Sequence, residues 1–199
     1  MTTAIGYGIG SAQAQAVDAT HPLPVTGGGT PGTPSTAVTT VQGVAYTGTS
    51  TVTRAANTTA YTAGDVVGGA ITIASAGPSG GGDVFITAIR IVLNITALPS
   101  GMTTFGLRLY NVTPPSAIAD NSPFTFGSGD RASYLGKITG IVAAAEGTGT
   151  LSVVAVLENV NQQFAIPSTG LFGYLVTDGA FTPAANSETY TLSIKAVGV

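Results

Sequence analysis

The sequence predicts an all-β protein: an antiparallel β-sandwich of jelly-roll type, preceded by an extended N-terminal arm. The first observation behind this prediction is a period of two in several apolar runs, as in ETYTLSIKAV (188–197), where apolar and polar residues alternate. The second is the series of turn-forming segments between the runs, such as AGPSGGGD, ALPSG and EGTGT. The third is that no stretch combines a helical apolar stripe with helix caps.

The predicted strands are short and rich in β-branched and aromatic residues. They are ITIA (71–74), VFITAIRIVLNI (84–95), TFGLRLYNV (104–112), SYLGKITGIVAA (133–144), LSVVAVLENV (151–160), FAI (164–166), GLFGYLVTD (170–178) and ETYTLSIKAV (188–197). In the second of them, the period of two puts Phe85 on the same face as Ile89 and Leu93, with Arg90 on the opposite face. Short strands joined by turns are typical of an antiparallel sandwich.

Composition divides the chain into a flexible Gly/Pro/Thr-rich arm, residues 1–50, and the predicted β-sandwich domain, residues 51–199. The first 53 residues contain a single charged side chain, Asp18, and no run long enough to build a core. The segment VTGGGTPGTPSTAVTT (25–40) is not predicted to be a helix, because its glycines make it flexible and its prolines favour extended geometry.

The sequence allows two interpretations of the arm: a disordered tail, or a segment that orders only against a partner. The second interpretation draws on Ile5, Tyr7 and Ile9, which alternate with glycine and suit addition as a strand to the edge of a neighbour's sheet. On that interpretation the predicted partner-binding residues are Ile5, Tyr7, Ile9, His21 and Val25.

Charged residues are scarce: 8% of the chain is charged and 44% is hydrophobic, whereas about a quarter of the residues in ordinary soluble domains are charged. A surface with so few charges is covered by Thr, Ser, Asn and Gly or by other protein, which indicates a place in an assembly. The six Lys and Arg residues are spread singly and the net charge is -3, so nucleic acid is not a predicted partner. No apolar run approaches the roughly 20 residues that span a bilayer, so no membrane partner is predicted.

Candidate catalytic residues are few. His21 is the only histidine, it lies in the arm, and the chain has no cysteine, so a Ser/His/Asp or Cys/His site is not predicted. Paired carboxylates would suit glycoside hydrolysis, but most acids lie beside turns, where they cap backbone amides, and there is no Trp to stack on a sugar. The sequence therefore predicts no enzyme and no cofactor. The carboxylates considered are Asp65, Asp83, Asp120, Asp130, Glu146, Glu158, Asp178 and Glu188.

A metal site and a phosphate loop are the other candidate ligand sites. Asp120, Asn121 and Asp130 offer the oxygen ligands that Ca²⁺ takes, but they lack the D-x-[DN]-x-[DN]-G spacing of a calcium loop. The segment GPSGGGD (77–83) is rich in glycine, but it lacks the Lys-Ser/Thr pair of a phosphate loop and precedes a strand. We therefore predict no metal, and a hairpin turn at residues 77–83.

The stretch PPSAIADNSPFTFGSGD (114–130) holds two of the chain's nine acidic residues. Its prolines demand extended or turn geometry in the residues before them, and Asp120 with Asn121 suits an Asx-type turn. Ile118 and Phe124 flank this turn and are expected to anchor it on the core. We interpret the stretch as a shaped connector between two strands rather than as a site of chemistry.

The order of several segments resembles a pattern of virion proteins from tailed bacteriophages. The pattern is a Y-x-A-G-D-V-V-G opening, an L-x-L-Y strand followed by an I-A-D-N turn and a phenylalanine, and a Y-L-G-x-I strand. The resemblance covers residues 58–199 and leaves the arm outside it. The matching residues are Tyr61, Ala63, Gly64, Asp65, Val66, Val67, Gly68, Pro115, Ile118, Ala119, Asp120, Asn121, Phe124, Tyr134, Leu135 and Gly136.

Proteins of this kind are structural, and some are head decoration (cement) proteins that form trimers with a jelly-roll domain on the capsid surface. The resemblance therefore implies a non-enzymatic virion protein on the outer surface of the capsid. Its implied partners are the major capsid protein and further copies of itself in a homotrimer. Three alternatives stay open: a tail or fibre component that binds a host receptor, a carbohydrate-binding module, and a hydrolase.

Overall fold

Residues 43–149 and 151–199, the part of the chain that the computed structural model describes, form eight β-strands and one short 3-10 turn, Ser128–Asp130. Nothing helical in this part of the chain is long and apolar enough to span a membrane. The predicted all-β class is confirmed. The strands are β1 (Ala45–Thr53), β2 (Val66–Ile73), β3 (Gly82–Leu93), β4 (Thr104–Tyr110), β5 (Tyr134–Ala145), β6 (Val153–Ile166), β7 (Leu171–Thr177) and β8 (Thr189–Gly198).

All strand pairs are antiparallel, and the strands follow the order β1-β8-β3-β6-β5-β4-β7-β2. The first strand pairs with the last, the second with the seventh, the third with the sixth and the fourth with the fifth. The two edge strands also meet, because Thr49 of β1 and Ala74 after β2 exchange two backbone hydrogen bonds of 3.0 Å. The sheet is therefore nearly closed on itself, and its edges are largely protected from pairing with other chains.

Apolar side chains from every strand fill the inside of the sheet. One row runs across four neighbouring strands, where Leu192, Ile91, Ala155 and Ala143 are direct partners and all buried. Burying one aliphatic side chain stabilises a fold by about 1.5–3 kcal/mol. This interior is therefore the main source of stability, and the period of two found in the sequence identifies most of its members.

A bulge between β3 and β6 corrects one prediction about the faces of β3. The register shifts between Ile86 and Ala88, so the alternation of inward and outward side chains changes there. Ile86 is buried, whereas Phe85 points outwards with 36% of its surface exposed. The prediction that Phe85 shares a face with Ile89 is therefore wrong. The same bulge lets the segments 151–160 and 164–166, predicted as two strands, continue as the single strand β6.

β1 begins at Ala45, inside the segment 1–50 that the sequence assigns to the arm. The strand lacks an apolar run because some of its inward positions must be small. At Gly48, a Cβ atom would lie only 2.9 Å from Ile73 Cγ2 and from Ala76 Cβ. Close contact between β1 and the end of β2 thus selects glycine where strand propensity would favour a larger residue.

The glycine-rich segment 77–83 forms a turn, closed by a 3.0 Å hydrogen bond from the Gly81 N–H to the Pro78 carbonyl. It connects β2 to β3, and these strands are not neighbours in the sheet. The prediction of a hairpin turn is therefore wrong. The chain crosses here from one edge strand to an interior position of the sheet, which a local sequence motif does not specify.

Candidate functional site

The segment between β4 and β5, residues 111–133, is the connector that the sequence predicts. It packs on the outer face of β4 and β7, where Ile118 and Phe124 are partly buried against a second apolar cluster. Both residues act as the anchors expected from the sequence. The buried members of this cluster are Val66, Tyr110, Tyr174 and Val176.

Asp120 of the connector is a structural acid. Its Oδ1 accepts hydrogen bonds from the Tyr61 hydroxyl (2.5 Å) and the Gly68 N–H (2.7 Å), and its Oδ2 accepts one from the Ala55 N–H (2.8 Å). These partners lie far from Asp120 in the sequence, whereas the Asx-type turn expected there would use its own backbone. The carboxylate therefore ties the connector to the end of β1 and to β2, and its oxygens are already engaged.

A buried polar network continues from Tyr61. The Arg54 Nε donates to the Tyr61 hydroxyl at 2.7 Å, and its Nη1 forms an ion pair with Glu188 at 3.3 Å. Glu188 also accepts hydrogen bonds from the Tyr190 hydroxyl and the Ala185 N–H, both 2.9 Å long. Arg54 and Glu188 are both buried, so each charge must be met by partners inside the protein. The network meets that requirement and joins three loops at one end of the sheet.

Burial raises the pKa values of the two tyrosines in this network. It raises the pKa of Tyr61 and of Tyr190 far above the usual range of a phenol, and the hydrogen bonds to Asp120 and Glu188 add to the effect. Both hydroxyls therefore stay protonated at neutral pH and act as hydrogen-bond donors. A group that serves as a fixed donor is suited to holding structure rather than to exchanging protons.

The other candidate carboxylates fall into two groups. Asp130, fully buried, accepts hydrogen bonds from the backbone N–H and the hydroxyl of Ser116. Asp65 accepts two from Thr62, and Asp178 accepts one from the Thr104 hydroxyl. Asp65 and Asp130 cap backbone amides, as predicted from their positions beside turns, whereas Asp178 bonds only a hydroxyl on the distant strand β4. The second group is exposed and lies on separate elements: Asp83, Glu146 and Glu158.

The candidate calcium ligands have different structural partners. Asp120 contacts β1 and β2, whereas Asp130 contacts Ser116 within the connector. Asn121 between them has a φ of 58° and serves to turn the chain. Within residues 43–149 and 151–199, no three His, Cys, Asp or Glu side chains come together as a metal site would require.

A half-buried cation beside the connector, Arg108, is a feature that the sequence analysis missed. The guanidinium of Arg108 lies 5.2 Å from the ring centre of Phe124, and Tyr110 and Tyr134 complete the surrounding group, with ring centres 5.2 Å apart. We call Arg108, Tyr110, Phe124 and Tyr134 the Arg108 cluster. The Arg108 Nε and Nη1 and the Tyr110 hydroxyl are buried without a hydrogen-bond partner. The sequence signal was the outward Arg108 in TFGLRLY, but its cover comes from the distant connector.

The outer surface of the sheet carries an apolar patch. Val92, Val154 and Ala144 are direct partners on β3, β6 and β5, and Val156 and Val142 form the adjacent row. These residues alternate with the interior row; 54% of Val142 is exposed, Val92, Ala144 and Val156 are half-buried, and Val154 at the centre is 7% exposed. We call Val92, Val142, Ala144, Val154 and Val156 the valine face. A row of aliphatic side chains on the water side of an antiparallel sheet is characteristic of a contact surface.

The predicted partner-binding residues of the arm, Ile5, Tyr7, Ile9, His21 and Val25, lie outside the described residues, so their role stays a prediction. Comparison with known proteins gave no relatives: no family model, no curated protein and no solved structure matches the chain.

Proposed function

We propose that this chain is a non-enzymatic virion structural protein, a capsid decoration (cement) protein. It binds and clamps neighbouring major capsid proteins on the outer surface of the head, as a homotrimer. The observation that carries the proposal is a division of roles among the side chains. Five candidate carboxylates are engaged in bonds within the protein, whereas the valine face is turned to the outside. The resemblance of residues 58–199 to phage virion proteins supplies the partner.

The proposal includes a jelly-roll sandwich as the finer description of the fold. Its support is the strand order, in which β1-β8-β3-β6 and β2-β7-β4-β5 form two successive halves of the sheet. Pairing the first strand with the last and the fourth with the fifth is what results when a long antiparallel ribbon is wound into two Greek keys. Jelly rolls of this kind occur in viral capsid and lectin domains.

The valine face supports a protein partner over a small ligand. Its side chains lie at adjoining positions on three neighbouring strands of the sheet. Protein–protein contacts bury broad surfaces of this kind, whereas small-molecule sites are concave. Arg90, beside Val156 and Val142 in the same row, supplies a polar rim at which orientation is selected.

The test is reconstitution of purified protein with capsid shells that lack it, compared with a Val142→Asp variant. Because Val142 is exposed, the charge is expected to leave the fold intact while weakening attachment about tenfold or more. The matched control is Thr72→Asp, at an exposed position of β2 outside the valine face. Attachment is measured by co-sedimentation, and the position of the protein by electron microscopy.

Failure of the wild-type chain to bind shells, or binding at the tail instead, would refute the head assignment. Equal binding by the Val142→Asp and wild-type chains would show that the valine face is not the contact. Sedimentation of the free protein tests the homotrimer separately, since a monomer at high concentration contradicts it.

A carbohydrate-binding role is the second candidate, and one observation favours it. Phe126 exposes 45% of its surface and lies 4.8 Å from the Tyr134 ring, so an aromatic face is open to solvent beside the connector. Aromatic rings stack on the apolar faces of sugars. The sequence has no Trp, and its analysis therefore did not predict such a stacking site. Titration of Phe126→Ala and wild-type chains with host surface glycans separates the roles, because decoration requires no glycan binding.

A further inference from the structure

The Arg108 cluster presents an unmet demand for hydrogen bonds. Two guanidinium nitrogens of Arg108 and the hydroxyl of Tyr110 are buried and have no partner within the protein. Buried polar atoms of folded proteins are nearly always paired, so the two unpaired nitrogens of the half-buried Arg108 indicate an acceptor that the isolated chain does not supply. Burial also raises the pKa of Tyr110, so its hydroxyl stays a donor.

A second cation stands next to the first. Lys137 of β5 is the direct partner of Arg108 on β4, so both side chains leave the same face of the sheet. Like charges at directly opposed positions repel each other. The ion pair in the described part of the chain joins Arg54 and Glu188 and includes neither of these two cations, although the Asp130 carboxylate acts on the neighbouring Tyr110. Two adjacent cations without an ion-pair partner are therefore favourable for an anionic partner.

The proposed partner selects the kind of anion. A planar guanidinium matches the two oxygens of a carboxylate or of a phosphate, and the Arg108 guanidinium lies over the Phe124 ring. Because the partner proposed for this domain is a protein, the anions it offers are the carboxylates of its acidic side chains. A carboxylate on a protein side chain is the anion that fits best.

We propose that Arg108 and Lys137 bind the carboxylate of an acidic side chain on the protein to which this domain docks. The inference rests on the proposed function, because it names one contact between the domain and its capsid partner. Arg108 supplies the planar donor, Lys137 adds a flexible second charge, and the connector forms one wall of the site through Phe124.

The first experiment is a titration of the full chain with sodium acetate, monitored by the NMR signals of the Arg108 Nε–H and the Leu109 and Ile138 amides. Sodium chloride at equal ionic strength is the control, and inorganic phosphate is the competing probe. We expect a saturable acetate shift that chloride does not produce, and that Lys137→Gln weakens several-fold. Lys137 is exposed, so that variant is expected to keep the fold.

Two results of the titration would contradict the proposal. If the Arg108 Nε–H is protected from exchange but acetate produces no more change than chloride, internal water satisfies the guanidinium and the proposal is wrong. Tighter binding of phosphate than of acetate would overturn the choice of a carboxylate.

The second experiment measures attachment to capsid shells by Arg108→Gln, Lys137→Gln and the control Lys195→Gln, which removes a cation from β8. We expect attachment to be about tenfold weaker for the first two variants. The control should attach as strongly as the wild type. If all three bind as the wild type does, the docking carboxylate is refuted while the decoration function stands. If the wild-type chain does not bind shells at all, the decoration function fails, and the acetate titration still decides the anion site.

Discussion

Asp120 is the residue on which the loops at one end of the sheet depend. Its two oxygens accept hydrogen bonds from Tyr61, Gly68 and Ala55, which belong to the segments around β1 and β2. The backbone groups need an acceptor because their alternative partner, water, is partly excluded. The Asp120 carboxylate thus holds the connector through groups that are distant in the sequence, whereas an ordinary turn is held by hydrogen bonds between close neighbours.

Replacing Asp120 by Asn is expected to lower the free energy of unfolding by about 2–3 kcal/mol. The amide keeps one acceptor oxygen, but its NH₂ group faces donors and leaves at least one of them unpaired. Urea denaturation at neutral pH measures the change. The control is Asp83→Asn, because Asp83 is exposed and its substitution should cost less than about 0.5 kcal/mol. A loss for Asp120→Asn no larger than that of the control would contradict the structural role.

The buried tyrosines predict how stability depends on pH. The pKa values of Tyr61, Tyr110 and Tyr190 are raised in the folded protein from the ordinary value of 10.0. Below pH 10 both states keep these protons, so their contribution to stability is fully present. Above it the unfolded chain loses protons that the folded chain retains, so the free energy of unfolding falls as pH rises.

Each such tyrosine is expected to lower the free energy of unfolding by about 1.4 kcal/mol per pH unit above pH 10. Urea denaturation between pH 8 and pH 12, with tyrosinate absorbance followed in parallel, measures the slope. In Tyr190→Phe the slope should decrease by one tyrosine's share, although the variant also loses its hydrogen bond to Glu188 at every pH. A slope unchanged by this substitution would show that Tyr190 ionises equally in both states.

At the scale of single residues, the sequence was sufficient to predict that Asp120 and Asp130 are structural, because turn-forming neighbours surround both. It was not sufficient to identify their partners. Gly68 and Ala55 lie far along the chain, and only the pairing of strands brings them to Asp120. Arg108 was missed for the same reason, since the connector that buries it folds back from a later part of the sequence.

Among the elements, β4 and β7 make a close backbone contact that the sequence does not reveal. Gly173 of β7 is the direct partner of Leu109 of β4, and a Cβ atom at Gly173 would lie 2.2 Å from the carbonyl oxygen of the preceding residue, Arg108. That distance is far below any real contact, so the backbones would have to separate. β4, which carries Arg108, and β7 can therefore pair this closely only because residue 173 has no side chain.

Gly173→Ala is therefore expected to lower the free energy of unfolding by about 3 kcal/mol, since the methyl group meets backbone rather than a flexible side chain. Gly147→Ala is the matched control, because a Cβ atom there meets nothing within 4 Å and the change should stay within about 0.5 kcal/mol. Thermal and urea denaturation measure both. Equal stability of the two variants would mean that β4 and β7 can move apart without cost.

Most strands were predictable because alternating apolar runs produce them directly, as in β8. The wrong predictions concern places where contacts between elements, rather than the local sequence pattern, determine the structure. The bulge opposite Ala88 reversed the face of Phe85 and merged two predicted strands into β6. β1 was missed because its inward positions are small where β2 approaches, so its strand character depends on a neighbour rather than on its own residues.

For the whole molecule, the closing contact between β1 and β2 sets the boundary between the domain and the arm. β1 starts at Ala45, pairs with β8 along its full length, and meets the end of β2 through Thr49 and Ala74. The sheet and its interior are therefore complete within residues 43–199. We therefore predict that the arm serves a partner rather than the fold.

Deletion of residues 1–42 is therefore expected to change the free energy of unfolding by less than about 0.5 kcal/mol. The same deletion is expected to weaken attachment to capsid shells about tenfold or more, because it removes Ile5, Tyr7, Ile9, His21 and Val25 as a second point of contact. Denaturation and co-sedimentation measure the two effects on the same preparation.

Deletion of residues 1–53 is the matched control, since it also removes β1. Without β1, the edge of β8 is left unpaired and the buried Leu192 and Ile194 are uncovered, so this shorter chain is expected to unfold or aggregate. Unchanged attachment after deletion of residues 1–42 would refute the role of the arm. A folded chain after deletion of residues 1–53 would instead show that the sheet does not depend on its closing strand.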